Sequence, residues 1–163
     1  MVQNKRRNFL IAGFVTSVVV VMNSGRIFSQ VTPDTTLSIL QYDLFPQAKE
    51  MDVNLAAYFT LIQRHSRIDE DEKKYLKNGI KWINEEAVEV HEALYHELPE
   101  SKRQELLQSI SQKEWGESYL YTLLTYIMEA TFSDPIYGVN PKRSGQQWLA
   151  FENGLPYPKE AYL

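Results

Sequence analysis

A single apolar stripe limits what this chain can fold into more than any other feature. Its members are spaced by four, three, four, three and four residues: Leu76, Ile80, Ile83, Ala87, Val90 and Leu94. This spacing follows the turn of an α-helix, whereas a strand would alternate at every second residue. Asp69, with Glu72 three residues on, resembles a capping box at the start of the same helix. The stripe therefore predicts one long amphipathic helix that packs against other elements.

Four further segments have helical patterns, and no segment alternates with period two for long enough to predict a strand. These segments cover about 32–45, 53–64, 101–112 and 114–131. The last is the most apolar, so we expect it at the centre of the fold, with the inward residues Leu120, Leu123, Leu124, Ile127 and Met128. The sequence thus predicts an all-α class, a bundle-like body of four to five helices in a single domain over 31–163.

From about Phe132 the regular pattern gives way to an irregular tail rich in Pro, Gly and aromatic residues. Asp134 before Pro135 is expected to form a turn by capping its own backbone. Each large aromatic side chain buries roughly 150–250 Å² when it is covered, so the tail needs a covering surface. Either the helical body or a partner protein can provide that surface, and the sequence leaves both open.

The first thirty residues have the composition of a targeting segment. Lys5, Arg6 and Arg7 precede a mostly apolar stretch of about a dozen residues, which is short for a membrane span. The paired arginines Arg6 and Arg7, with Phe9 and Leu10 in register, resemble a twin-arginine signal that is read by the translocase for folded proteins. The alternative is an ordinary basic region of a general secretory signal. No clean cleavage site follows, which leaves open whether residues 1–30 are removed or kept as an anchor.

Charge and cysteine content exclude several function classes. The net charge is −4, but residues 1–30 contain four basic and no acidic residues, so the rest has 13 basic against 21 acidic residues. An acidic body without a basic stripe argues against nucleic-acid binding, which depends on neutralising phosphates. The sequence contains no Cys, which excludes disulfides, thiolate metal sites and covalent haem attachment within it.

The pair His91 and His96 is the most suggestive arrangement for a metal, and its spacing does not suit one. A spacing of five turns the second side chain about 140° from the first on an α-helix, so the two cannot meet one ion. Neither histidine has Glu three residues before it, because those positions are Val88 and Ala93. No Gly-rich phosphate loop follows a strand, so we expect no catalytic, cofactor-binding or metal-binding residue in this chain.

One stretch of the tail resembles a known family. It runs Glu129-Ala-Thr-Phe132-Ser-Asp134-Pro135-Ile-Tyr137-Gly138-Val-Asn140, followed by Gly145, Trp148 and Gly154-Leu-Pro156. Over about 126–158 this is similar to the C-terminal signature of the gluconate 2-dehydrogenase subunit 3 family, typically Phe-Ser-Asp-Pro-x-Tyr-Gly-Gly-Asn, then a Gly-Trp pair and a Gly-Phe-Pro-like turn. The sequence differs at Val139, where a second Gly is usual, at Gln147 before Trp148, and in the spacing of the final turn.

The resemblance implies a non-catalytic small subunit that escorts a folded, FAD-bearing large subunit of the GMC type through twin-arginine export and stabilises it. A cytochrome c subunit carrying haem often completes such complexes. The implied location is the periplasm or the periplasmic face of the inner membrane. The residues expected at the partner interface are Phe132, Asp134, Pro135, Tyr137, Gly138, Asn140 and Trp148. The competing interpretation is a stand-alone envelope-anchored helical protein that binds another partner.

Overall fold

The structure is a computed structural model that describes residues 32–151, 154 and 159–161. Contacts divide the chain into two units, Met1–Thr32 and Pro33–Leu163, and the elements below lie almost wholly in the second. The helices are α1 Thr32–Leu44, α2 Leu55–Arg64, α3 Glu70–His91, α4 Glu100–Ser111, α5 Glu114–Phe132 and α6 Ser144–Trp148. Three 3-10 turns cover Pro46–Glu50, Tyr95–Glu97 and Pro135–Tyr137. The described part of the chain contains no strand, and the predicted all-α class is confirmed.

The long helix α3 begins where the sequence predicts, although its cap differs in one respect. Asp69 adopts an extended conformation, and its side chain accepts a hydrogen bond from the Asp71 backbone N–H at 2.7 Å. Glu72 does not form the reciprocal bond of a capping box, and its carboxylate accepts a hydrogen bond from the Tyr126 hydroxyl instead. The prediction of the cap is therefore right, and that of the full capping box is wrong.

The apolar stripe on α3 is shorter than predicted. Leu76, Ile80, Ile83 and Ala87 are buried, but Val90 is 57% exposed. The helix ends at His91 because Glu92 adopts the left-handed conformation, with φ of 55°. Leu94 therefore lies outside α3, in the connection to the next 3-10 turn, where Tyr95 supplies a fully buried side chain instead. Periodicity alone does not reveal this stop, because Glu92 is not a residue that usually ends a helix.

Helix α5 lies at the centre of the fold, as predicted, and packs against α2, α3, α4 and α6. Its fully buried side chains include Tyr119, Leu123 and Ile127, whereas Leu120 and Leu124 are half-buried. Gly79 of α3 permits the close crossing with α5, because a Cβ atom there would lie 1.9 Å from Cε2 of Tyr119. The Tyr119 hydroxyl also donates a hydrogen bond to the Leu76 carbonyl at 3.0 Å.

A buried ion pair joins α1 to α4. The Asp43 side chain is 1% exposed, and its two oxygens accept hydrogen bonds from Arg103 Nε at 2.6 Å and Nη2 at 3.0 Å. The Tyr95 hydroxyl donates to the same carboxylate at 2.7 Å, and Arg103 Nη1 donates to the Leu98 carbonyl. Buried charges that are paired and hydrogen-bonded in this way resist separation, so the network fixes α1 against the second half of the body.

Among the described residues, none of the helices combines the length and the apolarity that crossing a lipid bilayer requires. The predicted export signal, including Arg6, Arg7, Phe9 and Leu10, lies outside the described residues.

Candidate partner interface

The end of α5 is capped by two side-chain amides from the tail, which we call the amide clamp, Asn140 and Gln146. The last carbonyls of a helix have no partner within the helix. Asn140 Nδ2 donates to the Thr131 carbonyl at 2.8 Å, and Gln146 Nε2 donates to the Phe132 carbonyl at 2.8 Å. The two amides also bond to each other at 2.8 Å. The clamp therefore fixes the tail to the central helix.

The turn that follows α5 has the chemistry predicted from the sequence. The Asp134 side chain accepts a hydrogen bond from the Ile136 backbone N–H at 3.0 Å, and Pro135 occupies the first position of the 3-10 turn. Gly138 ends this turn with φ of 71°, a conformation that glycine adopts without strain. Val139, which stands where a second Gly is usual, is buried in the core, and its carbonyl accepts a hydrogen bond from the Asn54 backbone N–H.

Helix α6 packs closely on the end of α5 because of Gly145. A Cβ atom at this position would lie 2.2 Å from the Thr131 carbonyl oxygen, which leaves no room for any side chain. The Asn140 side chain also accepts the Ser144 backbone N–H at 2.9 Å, which starts this short helix. These contacts determine where the next residues, Trp148 and its neighbours, emerge on the surface.

Three large apolar side chains at the end of α6 are exposed, and we call them the terminal patch: Trp148, Leu149 and Phe151. Their exposed fractions are 52%, 55% and 59%. The Trp148 ring makes an edge-to-face contact with Phe45 at a centroid distance of 5.8 Å, so one part of the ring is anchored to the body. The remaining area faces outward. Grouped exposed apolar side chains are typical of interaction sites.

A second surface feature is a cleft between α2, the C-terminal half of α5 and the Pro135–Tyr137 turn. It has a volume of about 450 Å³. We call it the tyrosine cleft, and its aromatic lining consists of Tyr58, Tyr126, Phe132 and Tyr137. Leu61, Ile62 and Ile68 add aliphatic surface, while His65, Glu129 and Ser133 are its polar members. Phe132 and Tyr137, both predicted at the interface, are thus brought together here.

Two tyrosine–carboxylate pairs lie at this cleft. The Tyr58 hydroxyl donates a hydrogen bond to Glu129 Oε2 at 3.0 Å, and the Tyr126 hydroxyl donates to Glu72. Burial, with the neighbouring Glu129 charge as a second cause, raises the pKa of Tyr58. Burial and the Glu72 carboxylate raise the pKa of Tyr126 in the same way. Both hydroxyls therefore keep their protons to a higher pH than an exposed tyrosine does.

The predicted interface residues fall into two groups in the structure. Phe132, Asp134, Pro135 and Tyr137 are half-buried, Gly138 and Trp148 are exposed, and their role as partner contacts stays a prediction. Asn140 has no exposed surface, and its side chain forms hydrogen bonds with Thr131, Gln146 and Ser144. In this structure Asn140 holds the tail in place. The sequence does not reveal this role, because Asn followed by Pro indicates only a turn.

Sequence reasoning did not single out Gln146, Leu149 or Tyr58, and it named Glu129 only as the first residue of the stretch that resembles the family. Leu149 and Gln146 lie next to recognisable tail residues, so closer attention to that stretch could have found them. Tyr58 and Glu129 are 71 residues apart, and only the packing of α2 on α5 brings them together.

The two histidines considered for a metal do not lie on one helix. His91 is the last residue of α3, and His96 belongs to the following 3-10 turn. The rotation of 140° assumed a continuous helix, and that part of the prediction is wrong because α3 ends between the two residues. Within the described ranges, no group of three or more His, Asp or Glu side chains is placed to hold a metal ion.

A comparison with protein families decides the assignment. A family model described as gluconate 2-dehydrogenase subunit 3 matches residues 26–152, which include every described helix and the tail through the terminal patch. The chain belongs to this family. No curated protein and no solved structure is similar enough to the chain to count as a match.

Membership in the gluconate 2-dehydrogenase subunit 3 family confirms the resemblance drawn from the tail. It makes the chain a small accessory subunit of a dehydrogenase complex and implies association with a larger dehydrogenase subunit. The amide clamp, the positive-φ Gly138 and the exposed Trp148 all lie inside the matched region. The signature therefore combines residues that fix the tail with residues that the tail presents on the surface.

Proposed function

We propose that this chain is the non-catalytic small subunit that escorts a folded, flavin-bearing large subunit through twin-arginine export and stabilises it afterwards. FAD belongs to the large subunit, which is of the GMC type, and haem c belongs to a third, cytochrome subunit. The complex acts in the periplasm or on the periplasmic face of the inner membrane. This chain contributes the export signal and a docking surface, and it contributes no catalytic residue.

The observation that carries this proposal is the terminal patch. Three large apolar side chains within four residues are each more than half exposed. Their position is determined by hydrogen bonds from the amide clamp, so their exposure is a feature of the folded chain. Tryptophan is over-represented among residues that dominate binding energy at interfaces. In an accessory subunit, such a surface is best explained as the contact with the large subunit.

The N-terminal sequence supports the export part of the proposal. Arg6 and Arg7 with Phe9 and Leu10 follow the pattern that the twin-arginine translocase reads. Export of folded proteins suits a partner that acquires flavin in the cytoplasm and has to cross the membrane with it. A large subunit without its own signal would then depend on this chain for export.

The test is to produce the chain together with its large subunit and to follow both in the periplasm. Changing Arg6→Lys and Arg7→Lys keeps the positive charge but removes the guanidinium groups that the translocase recognises. We expect both proteins, with the flavin, to remain in the cytoplasm and still to co-purify there. Changing Lys5→Arg is the matched control and should leave export intact.

Two outcomes would contradict the proposal. Periplasmic accumulation of the double variant at the normal level would remove the twin-arginine assignment. A large subunit that reaches the periplasm in the absence of this chain would remove the escort role.

A further inference from the structure

The geometry of the tyrosine cleft points to a partner residue of defined chemistry. We propose that the cleft receives an arginine side chain of the large dehydrogenase subunit, held between the aromatic rings and Glu129. This inference rests on the proposed function, because it requires a large subunit that docks on this face. The proposed arginine would give the interface a charged, specific contact in addition to the apolar contacts of the terminal patch.

The shape and lining of the cleft suit a long side chain with a flat, weakly hydrated end. A volume of about 450 Å³ accommodates such a side chain together with part of the backbone that carries it. Four aromatic rings line the space, and Tyr58 and Tyr126 lie 6.5 Å apart between ring centroids. A guanidinium group stacks on aromatic faces and binds there by cation–π attraction.

The charge at the cleft favours a cation. Glu129 lines the cleft and is exposed, and its Oε2 atom accepts the Tyr58 hydroxyl. Its Oε1 atom accepts no hydrogen bond from the described part of the chain, so the carboxylate retains acceptor capacity for a donor from outside. A guanidinium group satisfies a carboxylate with two parallel N–H donors, which gives direction as well as attraction.

No Lys, Arg or His side chain of the described residues forms an ion pair with this carboxylate. None of the residues lining the cleft is Lys or Arg. His65 is the remaining candidate, and its Nδ1 atom accepts a hydrogen bond from the Arg67 backbone N–H at 3.1 Å. This ring nitrogen is therefore already engaged within the chain. An anionic or purely apolar occupant would leave the Glu129 charge uncompensated as it became buried.

The first experiment measures the affinity of the full chain for its large subunit in solution. Changing Glu129→Gln removes the charge and keeps the size of the side chain. We expect binding to weaken by roughly tenfold or more, because the partner's cation would be buried without a counter-charge. The thermal unfolding of the variant alone should stay at the wild-type temperature, since Glu129 is on the surface.

Glu89→Gln is the matched control. Glu89 is an exposed glutamate of α3, about 25 Å along the helix from Glu72, the residue that accepts the Tyr126 hydroxyl. Glu89→Gln changes the net charge by the same amount as Glu129→Gln and should leave the affinity for the large subunit unaltered. Equal affinity of the Glu129→Gln variant and the wild type would overturn the inference. Failure of the wild-type chain to bind the large subunit at all would instead overturn the proposed function.

A second experiment tests the cleft without the partner. N-acetyl-arginine amide is added to the full chain at millimolar concentration, and the ring resonances of Tyr58 and Tyr137 are followed by NMR. N-acetyl-citrulline amide, which is nearly the same shape but uncharged, is the matched probe. We expect the arginine compound to shift these resonances and the citrulline compound to leave them in place. Equal shifts with both compounds, or none with either, would contradict a cation site.

Discussion

At the residue scale, Asn140 and Gln146 supply the hydrogen bonds that the last carbonyls of α5 would receive from a further turn of helix. Polar side chains that are fully buried usually signal a hydrogen-bond task, and both amides are satisfied by the end of α5. Trp148 has the opposite character, because a large apolar ring is left half exposed next to this fixed segment. The tail therefore has two parts. Asn140 and Gln146 fix it to α5, and Trp148 is exposed on the surface.

The contribution of Trp148 is tested by changing it to Ala. Among the described residues, the ring contacts one aromatic side chain, Phe45, and half of its surface is exposed, so the isolated chain should stay folded. The cost in unfolding free energy should be well below the roughly 3–5 kcal/mol typical of a core aromatic. Binding to the large subunit should weaken by about 2 kcal/mol or more, as at an interface anchor. Thermal unfolding and co-purification measure the two effects.

Phe132→Ala is the comparison for this experiment. Phe132 ends the central helix α5 and is half-buried. Phe132→Ala should therefore lower the unfolding temperature of the isolated chain more than Trp148→Ala does. A Trp148→Ala chain that unfolds by itself, or one that keeps its partner at wild-type affinity, would show that the interface lies elsewhere.

At the scale of elements, the crossing of α3 and α5 depends on one position. Glycine inside a helix ordinarily costs about 1 kcal/mol relative to alanine, so its presence at Gly79 has a packing reason. The Tyr119 ring occupies the space where a side chain would be. The helices can therefore approach closely enough for the Tyr119 hydroxyl to reach the Leu76 carbonyl.

Changing Gly79→Ala should destabilise the chain although alanine favours helix. The added methyl group overlaps the Tyr119 ring, and overpacking of this kind costs about 1–3 kcal/mol. Asn78→Ala, at an exposed neighbouring position of the same helix, is the control and should leave stability unchanged or slightly raised. Chemical denaturation followed by circular dichroism measures both. A Gly79→Ala chain as stable as the wild type would mean that α3 and α5 separate more easily than their packing indicates.

At the scale of the whole molecule, the core contains several hydrogen-bonded tyrosines. Burial raises the pKa of Tyr119 above its ordinary value of 10.0. Burial and the hydrogen bond to Asp43 raise that of Tyr95. Tyr58 and Tyr126 shift in the same direction, but they are more exposed and contribute less to stability because of solvent screening.

These shifts predict the response to alkaline pH. Below pH 10 the tyrosines are protonated in both the folded and unfolded chain, so they add no pH dependence. Above pH 10 the unfolded chain loses these protons while the folded chain keeps them, so stability falls as pH rises. The slope from each of Tyr95 and Tyr119 should approach about 1.4 kcal/mol per pH unit as the pH nears 11. Denaturation midpoints measured between pH 8 and about pH 11 provide the test.

Tyr119→Phe separates the tyrosine effect from lysine titration. This variant loses the hydrogen bond to Leu76, so it is less stable throughout, but its stability should fall less steeply above pH 10. An unchanged slope would mean that Tyr119 does not determine the alkaline limit.

The fold was largely predictable from sequence, whereas the candidate site was predictable only in part. Helix patterns are local, and the five longer helices lie within about two residues of their predicted bounds at most ends. The exception is the end of α3 at Glu92, which depends on a left-handed residue without a sequence signal. Sequence periodicity does not encode tertiary contacts. It therefore reveals neither the exposure of Trp148 nor the hydrogen bond between Tyr58 and Glu129.

The amide clamp has a consequence for the energetics of assembly. Ordering a flexible backbone costs about 1–2 kcal/mol per residue, and many binding segments meet this cost only when the partner arrives. Here residues 133–148 are already ordered by Asn140 and Gln146 when the chain has folded. Preorganisation of this kind leaves more of the contact energy available as affinity, and docking approaches that of two rigid bodies. The folded chain then presents this surface before the larger subunit binds.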